Sequence, residues 1–176
     1  MKRFVFVIGL VFLAAEFSGQ ITLQKTYNYS TGVVKLESSG YKYFLMDVPN
    51  SQCRIYNMDF TLFRTINCPV PADNYLADIK FVSENLFNSD SYIELLYTYY
   101  QYIPTTSSYY YVYNSKIINE HGSNLLTING SRFNLIYKTG DSENKLFSFC
   151  YDYSVFPEII WTNIYSLPGM LSTSDS

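Results

Sequence analysis

Apolar and aromatic residues recur at every second position in short runs along this chain, and clusters of Gly, Asn, Asp, Ser and Pro separate the runs. Successive side chains of a β-strand point to opposite faces of a sheet, so a period of two is typical of strands. The 19 tyrosines and 13 phenylalanines favour the same state, because large rings pack well across a pleated surface. The sequence therefore predicts an all-β fold, an antiparallel meander of about ten short strands.

The turn signals group these runs into hairpins. Runs 33–36 and 41–46 flank a short turn, and runs 75–82 and 93–100 flank a polar loop in which Leu86 and Phe87 are expected to fold back onto the sheet. The second half continues with runs 109–118, 125–128, 133–137, 145–153 and 159–165. Run 145–153 carries a continuous aromatic ladder on one face, and Asn129-Gly130 is a strong turn signal.

The two halves of the chain resemble each other. Segment 55–57 (Ile-Tyr-Asn) matches 112–114 (Val-Tyr-Asn), and 63–66 matches 125–128. Segment 93–97 likewise falls near 146–150. A unit of about four strands in roughly fifty residues is the size of a propeller blade. The pattern predicts partial β-propeller-like repeats, two or three blades, with a two-sheet β-sandwich as the alternative.

Three cysteines are present, Cys53, Cys68 and Cys150, so one of them lacks a partner within the chain. Cys53 and Cys68 flank two short runs around a turn at 57–60. A hairpin closed near Phe60 would place the two sulfurs about opposite each other, which permits a cross-strand disulfide. Two buried thiols are the alternative, because a register slip of one residue would separate the side chains. Cys150 is expected to be a free core thiol.

The first residues indicate export. Lys2 and Arg3 precede an apolar run, 4–15, that is too short at about 1.5 Å per residue to cross ~30 Å of hydrocarbon. A basic start followed by a short apolar run is typical of a secretory signal peptide. We expect a signal peptide over 1–19, one β domain over 20–169, a linker or truncated tail over 170–176, and a secreted or cell-surface location.

Segment 53–66 (CRIYNMDFTLFRTI), the closing 164–169 (IYSLPG) and the aromatic, Asn-rich strands resemble secreted β-rich surface proteins of Bacteroidota. The resemblance covers residues 27–169 and implies export by the type IX secretion route, in which such β-modules precede a carboxy-terminal sorting domain. This sequence departs from that pattern, since the sorting domain expected after Ser172 is missing. The resemblance then implies a truncated chain or another way out of the cell.

Charge and composition narrow the partners. The net charge of −3 leaves no basic stripe to neutralise phosphates, which argues against nucleic acid. No membrane span is expected in the mature chain. A glycan or another surface protein is the expected partner, with self-association or further repeats left open.

The candidate catalytic residues of the sequence are one histidine and several carboxylates. The one histidine, His121, lies beside Gly122 in a predicted turn, without the partners of a nucleophilic triad or a zinc site. A glycoside hydrolase needs two facing carboxylates, but acidic residues in or beside strands are expected on solvent faces or sheet edges. These residues are Asp47, Asp59, Asp78, Glu94 and Asp152. We predict no enzyme activity, no cofactor and no metal.

Tyrosines cluster densely on both sides of segment 103–108. Because consecutive strand residues point to opposite faces, a sheet with one core cannot bury them all, and some must face water or a partner. The predicted ligand-binding residues are Tyr97, Tyr99, Tyr100, Tyr102, Tyr109 and Tyr111. The predicted function is a secreted or surface non-enzymatic binding or display module. A carbohydrate-active enzyme or carbohydrate-binding domain, and a structural spacer of a longer protein, are the alternatives.

Overall fold

The computed structural model describes residues 21–140 and 143–169, and the regular elements of this part are all β-strands. The strands are β1 (Thr31–Leu36), β2 (Gly40–Asp47), β3 (Gln52–Asn57), β4 (Leu62–Asn67), β5 (Asn74–Ser83), β6 (Glu94–Pro104), β7 (Tyr109–Asn119), β8 (Asn124–Asn129), β9 (Ser131–Lys138), β10 (Asn144–Asp152) and β11 (Ile159–Leu167). The predicted all-β antiparallel meander is confirmed. The predicted signal peptide and tail lie outside the described residues.

The strands form three successive sheets, each made of strands consecutive in sequence. Sheet 1 comprises β1 to β4, sheet 2 comprises β5 to β8, and sheet 3 comprises β9 to β11. Every pairing within a sheet is antiparallel and joins neighbours in the chain. The turn at Gly130 does not close a hairpin; it carries the chain from sheet 2 to sheet 3.

The three sheets stack face to face, with sheet 2 in the middle. One apolar core lies between sheets 1 and 2, where Leu36 and Ile55 pack against Leu95. A second core lies between sheets 2 and 3 and includes Leu96 and Leu146. Because both faces of sheet 2 are covered, consecutive residues 93–99 are all buried. The alternative of a two-sheet sandwich therefore differs from the structure, which has three layers.

The faint sequence repeat corresponds to equivalent strands. Segments 55–57 and 112–114 lie in β3 and β7, the third strands of sheets 1 and 2. Segments 63–66 and 125–128 lie in the fourth strands, and 93–97 and 146–150 lie in or directly beside the second strands of sheets 2 and 3. Each repeat is thus one meander sheet, and the interpretation of these sheets as blades of a partial propeller stays a prediction.

The cysteine hairpin forms, but its two cysteines do not lie opposite each other. The turn closes with Asn57 opposite Thr61, so that Cys53 lies opposite Ile66 and Cys68 lies beyond the end of β4. All three cysteines, Cys150 included, are free and buried, which is the alternative that the sequence left open. Burial raises the pKa of the Cys68 thiol to about 12, which keeps it protonated and unreactive.

The loop between β5 and β6, residues 84–93, touches all three sheets. Glu84 is 6% exposed and accepts hydrogen bonds from the backbone N–H and the hydroxyl of Ser38, in the β1–β2 turn, at 2.7 and 2.6 Å. The carbonyl of Leu86 accepts a hydrogen bond from the N–H of Gly169, behind β11, at 3.2 Å. As predicted, both apolar residues of the loop fold back onto the sheets: Leu86 is buried, and Phe87 packs against the core between sheets 2 and 3. This loop therefore fastens the stack together.

Gly130 is a point where backbone and packing both require glycine. Its φ is +75°, and a Cβ placed there would meet the Trp161 ring at 2.7 Å. We expect Gly130→Ala to lower the free energy of unfolding by about 2 kcal/mol and to shift the emission of the single tryptophan. Gly122→Ala is the matched control, because Gly122 has a φ of +83° with nothing within 4 Å of its Cβ position. Urea denaturation and emission spectra that do not distinguish the two variants would contradict the packing role of Gly130.

Candidate functional site

The candidate site lies where the long central hairpin outgrows its neighbours. Strands β6 and β7 each have 11 residues, whereas β9 of the covering sheet has 8. Paired residues of β6 and β7 present successive rows toward sheet 3. In order these rows are Leu96–Ile117, Thr98–Ser115, Tyr100–Tyr113, Tyr102–Tyr111 and Pro104–Tyr109. The first two rows are buried beneath sheet 3, and the tyrosine rows extend past it into solvent.

A buried polar layer forms the inner boundary of the site. Ser115 bonds the hydroxyls of Thr98 and Ser131 at 2.8 and 2.9 Å, and the Asn134 amide donates to Ser115 at 2.9 Å. Ser148 donates to the Asn134 carbonyl oxygen at 2.7 Å. Each of these side chains is at least 97% buried. Because buried polar groups need well-placed partners, this layer specifies how sheet 3 sits on sheet 2 and thus where the tyrosine rows emerge.

Beyond that layer the tyrosines and one arginine line an open groove of about 310 Å³, which we call the tyrosine groove. Its lining residues are Tyr109, Tyr110, Tyr111, Tyr113, Arg132 and Tyr153. Neighbouring rings of β7 lie 5.6 Å apart from Tyr109 to Tyr111 and 6.0 Å apart from Tyr111 to Tyr113. Tyr100 and Tyr102 of β6 pack edge-on against Tyr111, at 5.4 and 5.9 Å. The rings therefore form one continuous aromatic surface.

Arg132 closes one end of the tyrosine groove. Its guanidinium lies 5.1 Å from the ring centroid of Tyr113 and 5.7 Å from that of Tyr153, and Nη1 donates a hydrogen bond to the Tyr153 hydroxyl at 2.6 Å. This hydrogen bond raises the pKa of Arg132 above its usual value, so the group is always charged. At Tyr111, partial burial by surrounding rings and repulsion from neighbouring phenolates, that of Tyr109 first, raise the pKa. The Tyr111 hydroxyl is therefore neutral at physiological pH and can donate.

The structure brings four of the six predicted ligand-binding tyrosines together. Tyr100, Tyr102, Tyr109 and Tyr111 lie on the face just described. Tyr97 and Tyr99 do not, since they point to the opposite face and pack in the core between sheets 1 and 2, 0% and 4% exposed. These two assignments are wrong because alternation separates odd from even residues of β6 and because sheet 1 covers the odd face.

Sequence reasoning left five contributors to this surface off its list of binding residues, namely Tyr75, Tyr110, Tyr113, Arg132 and Tyr153. Tyr75 pairs with Tyr100 across the sheet, and Tyr113 follows Tyr111 by two residues. Alternation alone was enough to find Tyr113. Arg132 and Tyr153 belong to sheet 3, and only the packing of sheet 3 on sheet 2 places them beside β7. No local pattern in the sequence indicates that placement.

The carboxylates considered for catalysis are scattered over the fold. Two of them differ from the expected solvent-facing placement, because Asp47 and Glu94 are both 0% exposed. Asp47 pairs with Arg54 and accepts hydrogen bonds from the Asn50 side chain, so it is a structural group. The lining of the tyrosine groove contains no carboxylate in the described part of the chain. His121 lies in an exposed turn, as expected, with its ring edge-on to Tyr92 at 4.4 Å.

Two further surfaces of the molecule expose apolar side chains. A larger recess of about 610 Å³ lies between Tyr43, Phe60 and the extended segment 21–25, whose side chains are exposed and unpaired with any strand. The outer face of sheet 3 carries rows of apolar side chains that include Leu135, Phe147 and Ile164. The aromatic ladder of β10 points outward on this face. The recess carries a cation of its own, Lys25, whose Nζ lies 5.7 Å from the Tyr27 ring centroid, but one of its walls is the extended segment, which pairs with no strand.

A scan against protein-family models, a search of curated proteins and a search of solved structures each found no match to this chain. Within residues 21–140 and 143–169 there is no helix of the length and apolarity that crossing a bilayer requires. In the same residues no three His, Cys, Asp or Glu side chains cluster as ligands for a metal ion.

Proposed function

We propose that this chain is an exported, non-enzymatic binding module and that the tyrosine groove is its contact surface. The observation that carries the proposal is the extension of β6 and β7 past sheet 3, which leaves a row of ordered tyrosines uncovered beside a charged arginine. Tyrosine side chains are already ordered by packing against one another, so little conformational entropy is lost when a ligand stacks on them. The basic and apolar amino-terminal sequence supports export.

A ring-bearing ligand suits the side chains of this surface. Strands β6 and β7 pair with each other along their whole length, whereas β8 pairs with β7 only from Asn114 to Ile118, so residues 109–113 have one backbone edge without a strand beside it in the described chain. The lining of the groove consists of five tyrosines and one arginine. Pyranose rings stack their C–H faces on aromatic rings while their hydroxyls bond to neighbouring polar tips. We infer that a saccharide is the ligand class, and the absence of carboxylates from the lining supports binding without hydrolysis.

A glycan-array screen tests the proposal. We expect the purified chain to bind at least one class of glycan and Tyr111→Ala to weaken that binding about tenfold, because Tyr111 lies at the centre of the ring surface. Tyr41→Ala is the control, since Tyr41 is an exposed tyrosine on β2, in sheet 1, outside the groove. Binding to no glycan above background, or equal losses in the two variants, would contradict the proposed function.

A further inference from the structure

The arginine of the tyrosine groove is charged, held in place and without an acidic partner. The ion pairs in the described residues are Arg54–Asp47, Arg64–Glu120 and Lys145–Glu143, and Arg132 belongs to none of them. Nearby Asp152 instead accepts hydrogen bonds from the backbone N–H and the hydroxyl of Ser154, at 2.9 and 2.6 Å. The charge of Arg132 is therefore left for a ligand.

The position of this guanidinium is set by its surroundings. Phe133 lies at 4.8 Å and Tyr113 at 5.1 Å from it, and the Tyr153 hydroxyl takes a hydrogen bond from Nη1. Among the described residues the guanidinium makes this one hydrogen bond, so its N–H donors on Nη2 and Nε are available to a ligand. Two parallel N–H donors match the geometry of a carboxylate. Because rings and a hydrogen bond already hold the side chain, little rotamer freedom remains to be lost on binding.

The lining of the groove carries one positive charge, which can pair with one carboxylate at a time. Arg132 is the single cation among the lining residues, and the protein has a net charge of −3. A nucleic acid or a densely sulfated polymer requires several cations along its path. One arginine beside stacked rings therefore fits a ligand in which a single carboxylate is attached to a ring.

We propose that the tyrosine groove binds one uronic acid residue of a saccharide, with the sugar ring on Tyr111 and Tyr113 and its carboxylate on Arg132. This inference rests on the proposed function, since it names the saccharide that the same groove takes. It adds that charge recognition comes from one residue of sheet 3, whereas stacking comes from sheet 2.

Calorimetric titration with matched saccharides tests the charge and the ring separately. The probes are short oligomers of galacturonate, mannuronate and glucuronate, together with the methyl ester of whichever binds. The ester keeps the ring and removes the charge. We expect the acid to bind at least tenfold more tightly than its ester, Arg132→Gln to abolish that difference, and added salt to weaken binding of the acid alone. Lys116→Gln, on the opposite face of β7, is expected to leave both affinities unchanged.

The outcomes separate this inference from the proposed function. If a neutral glycan binds in a Tyr111-dependent way while the three oligouronates do not, the inference is overturned and the proposed function stands. Equal affinity for acid and ester has the same meaning. If polyglutamate binds in an Arg132-dependent way and no saccharide binds, the ligand is an acidic peptide and both proposals fail. Circular dichroism of each variant confirms that the sheets are retained.

Discussion

Glu94→Ala is expected to lower the free energy of unfolding by about 4 kcal/mol, one of the two greatest effects predicted for this chain. The Glu94 carboxylate is 0% exposed, and its Oε2 accepts hydrogen bonds from the N–H groups of Leu86 and Phe87 at 3.0 and 2.9 Å. The hydroxyl of Ser83 donates to the same oxygen at 3.2 Å. Removing this acceptor leaves buried donors without partners in the loop that fastens the three sheets. Urea denaturation followed by Trp161 emission measures the loss.

Glu94→Gln separates the hydrogen bonds from the charge. Its amide oxygen can accept the same N–H donors, so we expect it to lose about half as much stability as Glu94→Ala at neutral pH. A loss below about 1 kcal/mol for Glu94→Ala would show that the loop does not depend on this side chain.

The same residue predicts a dependence on pH. Burial, partly offset by the N–H of Phe87 and the other donors, raises the pKa of Glu94 above its usual value of 4.5. The folded state therefore binds a proton more tightly than the unfolded state does. The free energy of unfolding then falls as pH rises from about 4.5 through the raised pKa. This downward contribution should be missing from Glu94→Gln when its unfolding is compared with that of the parent chain between pH 4 and pH 7.

Tyr97→Ala is expected to cost about 4 kcal/mol, because it removes a fully buried aromatic ring from the core between sheets 1 and 2. Tyr97→Phe keeps the ring and loses only the hydrogen bond from the hydroxyl to the Pro69 carbonyl, at 2.8 Å, so about 1 kcal/mol is expected. Thermal and urea unfolding measure both.

Ligand binding gives the second readout for Tyr97. Because its side chain points away from the tyrosine groove, Tyr97→Phe should bind glycans as the parent chain does. A loss of binding as large as that of Tyr111→Ala would contradict the assignment of Tyr97 to the core and return it to the contact surface.

The fold was largely predictable because its signals are local. Alternation of apolar residues located the strands, and turns such as Gly40 and Gly130, both with positive φ, located their ends. The repeat indicated that each group of strands is a unit, and the structure shows each unit as one sheet. The register of the cysteine hairpin was not predictable, because its turn is centred at Asp59, with Asn57 opposite Thr61, and no glycine or proline marks that position.

Only part of the site could be predicted from the sequence, and Tyr99 and Tyr100 illustrate the physical reason. Alternation places these neighbours on opposite faces, but it does not say which face another layer covers. In a stack of three sheets, both faces of the middle sheet are covered as far as the outer sheets extend. Sheet 3 ends beside Tyr113, and the position of that end depends on tertiary packing. Arg132 and Glu94 were missed or misplaced for the same reason. Their roles depend on contacts between segments that are distant in sequence or on a loop that closes over them.

The arrangement of sheets in chain order has a consequence for how the molecule is assembled. Every hairpin links neighbouring segments, so each meander can pair its own strands while later residues are still being synthesised. An isolated meander with one bare apolar side is short-lived in water, and it persists only when the next one docks. Assembly would then proceed from the amino end, and residues 131–167, arriving last, would lock the earlier layers and complete the wall that carries Arg132.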